Sequence, residues 1–393
     1  MASKAADRGR VMRRYVAERV LRAVGIPLVI GLLICAMGGP MGLVSYGSFD
    51  GRSPPREALA NLAAYYGIDG VIEEPSWRHG AAYLSSVLVP RIARRQPASV
   101  VDEALVNIRL GEDRYLRWMN FGPTLWYRTH TVNDFIRSGL PISTQLGILS
   151  ILTAFVFGLP LGLLAALKRG TLWDYLVGEL VFYGISVPAL ALGPVLVVIF
   201  GLGLRWLPLS GWGTRPPYVL FFVPRNLFSA EFWGSAIMPC VTLGASCVAI
   251  IAQQTRDNLL QIIYKDGKDG EKKTAVVVYA RGVMGREVEV GQVWKGVFFS
   301  AWALSGPVFA RVLVGLLVVE RVFGIPGLGN HFVAGIGGRD YPIVVGIVLL
   351  FTILVTFVNL LSVGSGGGVT ASAPSERPPE KSRLIVGPRE SEE

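Results

Sequence analysis

The sequence predicts an all-α integral membrane protein with six transmembrane helices. Its mean hydropathy is +0.47, and charged residues make up 17% of its 393 residues, against roughly 25% in soluble globular domains. Six apolar stretches have about the 20 residues that cross a hydrocarbon core. They lie at approximately 20–42, 143–167, 175–202, 235–255, 298–320 and 342–363. This apolar content excludes an ordinary soluble enzyme and a disordered chain.

The first apolar stretch, 20–42, is predicted to be a retained signal-anchor that leaves residues 1–19 in the cytoplasm. Residues 1–22 carry seven basic residues against Asp7 and Glu18, and basic segments stay on the cytoplasmic side. A cleaved signal peptide is the alternative interpretation. It is disfavoured because no small-x-small cleavage site follows Cys35.

Residues 43–140 are predicted to form a large extracytoplasmic insertion, because too many charged residues interrupt them for another span. The amphipathic segments 57–66 and 81–92 predict short helices lying on the outer face. The insertion also carries Trp77, Trp118 and Trp126, which fit either a docking surface or an aromatic belt at the membrane interface.

Residues 141–363 are predicted to form a five-helix core with a cytoplasmic loop at 256–297. Alternation from a cytoplasmic N-terminus places Lys168 and Arg169 inside, together with this loop, whose residues 256–295 hold eight basic and six acidic residues. The Gly/Ser-rich and then Pro/Glu-rich residues 364–393 predict a disordered cytoplasmic tail.

Charged and proline residues interrupt the apolar stretches. Arg311 lies within the fifth stretch and Glu320 at its end, where an ionised group is costly unless it faces protein or water. Arg311 and Glu320 each have two interpretations, a functional group or an internal contact that only fixes helix packing. Pro160, Pro188 and Pro194 interrupt the second and third stretches, where ordinary kinks are the favoured interpretation and flexible or unwound segments the alternative.

The sequence carries no recognisable catalytic set. A phosphate-binding loop needs Gly-x4-Gly-Lys-Ser/Thr, and the lysine-rich residues 267–274 have glycines at other spacings. Neither a His-Glu-x-x-His zinc motif nor a Gly-x-Ser-x-Gly nucleophile motif occurs. The three cysteines and three histidines are scattered, so neither a metal centre nor a disulfide framework is expected. The chain is therefore predicted not to be an enzyme.

Several strings closely resemble the inner-membrane permeases of dipeptide and oligopeptide ABC importers. Three occur in order near the C-terminal end: Glu320-Arg-Val-Phe323, Pro326-Gly-Leu-Gly329 and Arg339-Asp-Tyr-Pro342. Others occur upstream: Leu140-Pro-Ile-Ser-Thr-Gln-Leu146, Gly158-Leu-Pro-Leu-Gly162 and Trp206-Leu-Pro-Leu-Ser-Gly211. The resemblance covers most of residues 13–361.

This resemblance implies a type I ABC importer permease in a bacterial or archaeal inner membrane, with both termini cytoplasmic. It implies four kinds of partner: a second homologous permease subunit, two cytoplasmic ABC ATPase subunits, an extracytoplasmic solute-binding protein and membrane lipid. ATP and Mg would be bound by the ATPase subunits, with no cofactor in this chain, and no nucleic acid is expected.

The resemblance also implies two sets of site residues. The first couples the permease to the ATPases and comprises Tyr279, Ala280, Arg281, Gly282 and Arg286. The second lines the translocation path or outer gate and comprises Arg311, Glu320, Phe323, Pro326, Gly327, Gly329 and Asp340. The segment from Phe323 to Pro342 is expected to form a re-entrant or capping loop at the outer mouth, the alternative being a plain turn.

Two alternatives stay open. Relatives on the same scaffold import nickel, glutathione or oligosaccharide, so the cargo is not determined by these motifs. The apolar string Thr274-Ala-Val-Val-Val278 replaces the polar, Ala-rich helix usual in the coupling loop. That departure, together with the Gly/Ser tail, also fits a permease-derived assembly protein that has lost coupling.

Overall fold

The computed structural model describes residues 76–93, 104–110, 114–127, 129–213, 226–264 and 290–363, with isolated positions between 25 and 65 and at 223. For residues 261–264, 290–305 and 362–363 it describes only the backbone. The predictions for the N-terminus 1–19, for the coupling residues 279–282 and Arg286, and for the tail 364–393 lie outside this part of the chain. Within the first predicted span, residues 29–34 are helical.

Residues 43–140, the predicted extracytoplasmic insertion, contain both a helix and a sheet in their described part. We refer to this region as the insertion. Helix α1 runs from Ser76 to Leu88, so the predicted helix at 81–92 is present but ends earlier. Strands β1 (Arg91–Ala93), β2 (Val106–Arg109) and β3 (Tyr115–Trp118) form an antiparallel sheet in the order β1-β3-β2. The predicted all-α class is wrong for this region. Most of the predicted helix at 57–66 lies outside the described residues.

The sheet was missed because its strands are short and largely exposed. Strands β2 and β3 form a hairpin in which Val106 faces Trp118 and Arg109 faces Tyr115. Beyond the end of β2, the Leu110 amide donates to the Arg114 carbonyl at 2.8 Å. Strands of three or four residues give no long apolar run, and β-branched and aromatic residues supply only a weak local preference for them.

The core consists of long apolar helices. They are α2 (Val132–Leu167), α3 (Leu172–Ser186), α4 (Ala189–Leu196), α5 (Ala230–Tyr264), α6 (Val290–Val322), α7 (Leu328–Gly338) and α8 (Tyr341–Val363). In the described part of the chain, α2, α5 and α8 are long and apolar enough to cross a membrane, and a fourth span results if α3 and the helix after it count as one. The chain is thus a multi-pass membrane protein, and the full set of six spans remains a prediction.

The third predicted stretch is broken before Pro188, which fits the alternative of an unwound segment and not an ordinary kink. The axis turns by 103° between α3 and the following helical residues Ala189–Gly203. Val187, with ψ of 117°, is extended, and Pro188 starts the next helix. A proline disfavours helical backbone at the residue before it and cannot donate a helical hydrogen bond. Pro160 and Pro194, in contrast, lie inside helices α2 and α4.

Helices α2 and α5 approach closely at two glycines spaced as Gly-x-x-x-Gly. A Cβ at Gly158 would lie 2.9 Å from the Val248 carbonyl oxygen, and one at Gly162 would overlap the Ala252 carbonyl oxygen. Small residues at such a spacing let helix backbones touch inside a membrane. The Gly158-Leu-Pro-Leu-Gly162 string therefore has a packing role.

The insertion packs onto the end of the core at which α2 and α8 begin. Thr131 begins α2 with a capping box, in which its side chain accepts from the Asp134 amide and Asp134 accepts from the Thr131 amide. A Cβ at Gly346 of α8 would lie 2.7 Å from Val132 and 3.5 Å from Phe121 of the insertion. The start of α2 and the start of α8 are thereby held against the same buried surface.

Candidate functional site

Helix α7 lies in the segment expected to form the outer gate. Its 11 residues span about 16 Å at 1.5 Å per residue, which is too short to cross a membrane. The helix packs against α6, α8 and α2. The segment from Phe323 to Pro342 is therefore built around a packed helix and is not a plain turn.

A buried carboxylate holds the start of α7. Glu320, at the end of α6, is 0% exposed. It accepts hydrogen bonds from the Ser143 hydroxyl at 2.6 Å, from the Gly329 amide at 2.6 Å and from the Asn330 amide at 3.4 Å. The first amides of a helix have no partner within the helix, and negative charge is favourable there. Glu320 thus fixes α7 to α6.

Ser143 of α2 completes this cluster. Its hydroxyl donates to Glu320 and accepts from the Leu328 amide at 2.8 Å. The same hydroxyl therefore links α2, α6 and α7. We refer to Glu320, Ser143 and the amides of residues 328–330 as the carboxylate contact.

Three glycines make the carboxylate contact sterically possible. A Cβ at Gly327 would overlap the Glu320 carboxylate, and one at Gly329 would lie 2.5 Å from the Leu316 carbonyl oxygen. On α2, a Cβ at Gly139 would lie 2.9 Å from the Leu328 amide nitrogen. The Pro326-Gly-Leu-Gly329 string is therefore required because α7 begins wedged between two helix backbones.

Two further motifs converge at the same place. Phe323 is buried, and its carbonyl accepts from the Gly211 amide at 2.8 Å. This bond joins the Trp206–Gly211 string to the end of α6. Next to it, the Trp212 indole donates to Gln145 of α2 at 2.9 Å. Pro326 lies exposed in the turn before α7.

The other end of α7 is anchored to the insertion by Asp340. Arg339 ends the helix in the left-handed region, with φ of 57°. The buried Asp340 carboxylate accepts from the amides of Leu125 at 3.2 Å and Trp126 at 3.4 Å. Burial raises the pKa of Asp340 from 3.8 to about 6, and these amide bonds oppose that rise.

Arg311 lies apart from these residues. It precedes Glu320 by nine positions on α6, or about 14 Å along the axis. Its side chain is exposed, and its Nε donates to the Ser246 hydroxyl of α5 at 3.2 Å. Of the predicted path residues, the structure brings Glu320, Phe323, Gly327 and Gly329 together, places Asp340 at the far end of α7 and leaves Arg311 separate.

Two groups of polar residues at these junctions were not predicted as site residues. Ser143 and Gln145 lie in the Leu140–Leu146 string that resembles the permeases, but nothing in the sequence pairs Ser143 with a carboxylate 177 residues away. On the side of the core nearer Lys168, Arg256 of α5 forms a bidentate ion pair with Asp174 of α3 at 2.8 and 3.1 Å. No local pattern marks that pair.

Comparison with known proteins identifies one family for this chain. The family described as the binding-protein-dependent transport system inner membrane component matches residues 158–367. The oligopeptide transport system permease protein OppB of Salmonella typhimurium is 28% identical over 340 residues, covering 86% of this chain and 92% of that protein. OppB of Escherichia coli K12 is 32% identical over 231 residues, covering 59% of this chain and 68% of that protein. The dipeptide transport system permease protein DppB of Bacillus subtilis is 26% identical over 351 residues, covering 89% of this chain and 94% of that protein.

Proposed function

The chain belongs to the binding-protein-dependent transport system inner membrane components, and we propose that it is the permease subunit of an ATP-driven importer of peptides or similar small solutes. It would form half of the translocation path. Similarity to oligopeptide and dipeptide transport permeases over most of the chain supports the cargo class.

The observation that carries this proposal is the convergence of three separate motifs at the start of α7. Residues 140–146, 206–211 and 320–329 come from distant parts of the chain, and each contributes a hydrogen bond at this junction. A short helix fixed at both ends, between the insertion and the long helices, is suited to act as an outer gate. Phe323, Pro326, Gly327, Gly329 and Asp340 would shape it.

Helix α6 provides the mechanical connection between coupling loop and gate. It begins at Val290, four positions after the proposed coupling residue Arg286, and its 33 residues extend about 50 Å. Its far end carries Glu320, which holds α7. When ATP binding closes the ATPases and moves the coupling residues 279–282, α6 would transmit the movement to α7. The free energy comes from the preference of ATP for the closed state.

The proposed assembly contains a second homologous permease subunit, two cytoplasmic ABC ATPases that bind ATP and Mg, and an extracytoplasmic solute-binding protein. Both termini would be cytoplasmic, in a bacterial or archaeal inner membrane. The position of Arg311 supports the presence of a partner subunit. Its guanidinium is exposed in the middle of an apolar helix, and a charge in contact with lipid is costly, so the partner subunit or the aqueous path would cover it.

The proposal is tested in proteoliposomes that contain the complete importer and its peptide-loaded binding protein. We expect peptide uptake and stimulated ATP hydrolysis, and we expect Gly282→Leu to abolish both while the subunits still co-purify. Gly178→Leu is the matched control, because a Cβ added at Gly178 would meet no atom within 4 Å. Stimulated hydrolysis at the wild-type rate in Gly282→Leu would remove Gly282 from the coupling site.

The same preparation distinguishes the alternatives. Uptake of nickel, glutathione or an oligosaccharide, without uptake of peptides, would change the cargo but keep the permease. Absence of any ATPase from the purified complex, with or without deletion of residues 279–282, would favour the uncoupled assembly protein.

A further inference from the structure

A cavity of about 640 Å³ lies beside the C-terminal end of α7. It falls within the roughly 300–1,000 Å³ of small-molecule binding sites. Residues from three parts of the chain line it: Trp126 and Tyr127 from the insertion, Phe135 from α2, and His331, Arg339 and Asp340 from α7 and its end. The outer gate mechanism described above uses only Asp340 of these.

One wall of the cavity is a chain of aromatic rings. The ring centroids of Tyr127 and Phe135 are 5.3 Å apart, and those of Phe135 and His331 are 5.2 Å apart. Tyr127 is half exposed, and Phe135 and His331 are partly exposed. Burial lowers the pKa of His331 below its usual value, which favours the neutral ring. Such a wall offers stacking and edge-to-face contacts to an apolar or aromatic group.

The lining of the cavity also contains polar groups. Helix α7 ends there, and a helix C-terminus carries partial negative charge. Gly337 and Gly338 leave the backbone of this end open, since an added Cβ would meet no atom within 4 Å. Arg339 and Asp340 belong to the same lining, and the Asp340 carboxylate is engaged by the amides of Leu125 and Trp126. The cavity is therefore lined by aromatic rings together with the polar end of a helix and a basic residue.

We propose that this cavity is a receiving site on the permease for a short peptide that carries an apolar or aromatic side chain. The side chain would pack on Tyr127 and Phe135, and the peptide's ammonium group would lie near the end of α7. This inference rests on the proposed import of peptides and extends it, because it assigns part of the cargo selection to the permease itself. The site adjoins α7, so its occupancy and the position of the gate would be linked.

The test compares two tripeptides, Phe-Ala-Phe and trialanine, in uptake by the complete importer with its binding protein. We expect Tyr127→Ala and Phe135→Ala each to lower uptake of Phe-Ala-Phe relative to trialanine by roughly 3- to 10-fold, the factor expected for a lost aromatic contact. Phe228→Ala is the matched control, because Phe228 is 95% exposed and does not line the cavity. Tyr127→Ala is also expected to leave the fold intact, because Tyr127 is half exposed to solvent.

Direct binding separates this inference from the proposed function. Phe-Ala-Phe is added to the membrane complex without the binding protein, and saturation-transfer NMR records its contact with the protein. Binding that is weakened by Tyr127→Ala and by N-acetylation of the peptide supports the receiving site, even if the wild-type importer transports no peptide. Unchanged selectivity and unchanged binding in both variants would overturn the inference. Peptide uptake by the wild-type importer in the same experiment would still support the permease function. An equal loss of both peptides with weaker capture of the binding protein would also overturn it, in favour of a docking surface.

Discussion

Two helix junctions in this protein bring backbones equally close. One is held by van der Waals contact, and the other by hydrogen bonds to a buried carboxylate. At the glycine contact, formed by Gly158 and Gly162 of α2 against α5, the carbonyl oxygens of Val248 and Ala252 lie where side chains would otherwise be. At the carboxylate contact, glycines again permit the approach, but the buried Glu320 then makes three hydrogen bonds. Van der Waals contact favours proximity without strict direction, whereas hydrogen bonds from a helix N-terminus define one register. The difference indicates that α7 must be positioned more strictly than the pair of long helices.

The largest effect is expected from removing the carboxylate. Glu320→Ala leaves the Ser143 hydroxyl and two amides of α7 without their acceptor in a buried site, and each such group costs about 1–3 kcal/mol. We expect the free energy of unfolding in detergent to fall by about 4 kcal/mol, with uptake lost. Denaturant titration and an uptake assay measure the two effects.

Ser143→Ala tests the same contact with a smaller change, because it removes only one hydrogen-bond partner of Glu320. It should lower stability by about 1–3 kcal/mol, and the double variant should lose less than the sum of the two single variants, since the residues share a bond. Strict additivity would show that the two side chains do not act as one unit.

The glycine contact should respond through steric overlap. In Gly162→Val the new side chain would meet the backbone of Ala252 and the Cβ of Thr255, the latter at 2.8 Å. Overpacking of this kind costs about 1–3 kcal/mol, and we expect the upper end because the neighbouring carbonyl cannot move alone. The measurement is the thermal unfolding midpoint in detergent. Gly178→Val, which faces open space, should leave it nearly unchanged, and equal losses in both variants would contradict a specific α2–α5 contact.

Asp340 should make stability depend on pH in a narrow window. Its folded-state pKa of about 6 lies above its ordinary value of 3.8, so the protonated carboxyl is favoured by folding. Its contribution is complete below about pH 4 and is lost as the pH rises through about 6. Asp340→Asn keeps a side-chain oxygen that can accept from the Leu125 and Trp126 amides but cannot titrate.

This prediction is measured as the difference between the wild-type and Asp340→Asn unfolding midpoints from pH 4 to pH 8. The wild type should lose stability relative to the variant between about pH 4 and pH 6, by about 2 kcal/mol, and the difference should then level off. A constant difference across this range would exclude Asp340 as the source of the pH dependence.

The smallest effect is expected at the Asp174–Arg256 ion pair. Its two side chains are 13% and 31% exposed, so solvent screens their attraction, and exposed pairs contribute about 0.2–1 kcal/mol. Asp174→Asn should lower stability by less than about 1 kcal/mol, and by less in high salt. Urea titrations at low and high ionic strength provide the comparison. A larger loss that is insensitive to salt would instead assign Asp174 a role through its bond from the Gly170 amide.

The site was predictable where local chemistry is unusual. Glu320 attracts attention because a carboxylate in an apolar stretch needs a partner, and the Pro326-Gly-Leu-Gly329 string indicates a tight turn with close backbone contacts. The partner itself was not predictable, because Ser143 is an ordinary residue in an apolar helix. The sheet at 91–118 was not predicted for a similar reason. Its strands are defined by pairing with residues elsewhere in the insertion, and no periodic pattern in the sequence identifies those partners.

The sequence by itself determined that this chain enters a membrane, which stretches are long enough to do so and which family it resembles. These properties depend on composition and on motifs that are local in the chain, because transfer into lipid depends on the apolar content of each segment. Only the tertiary structure decided that Glu320 binds Ser143 and the start of α7, that α3 and α4 meet at 103° and that Asp340 joins the last helix to the insertion. Those outcomes depend on the distances and directions between residues that are far apart in sequence. Hydrogen bonds and steric contacts define these distances and directions only when the helices are packed.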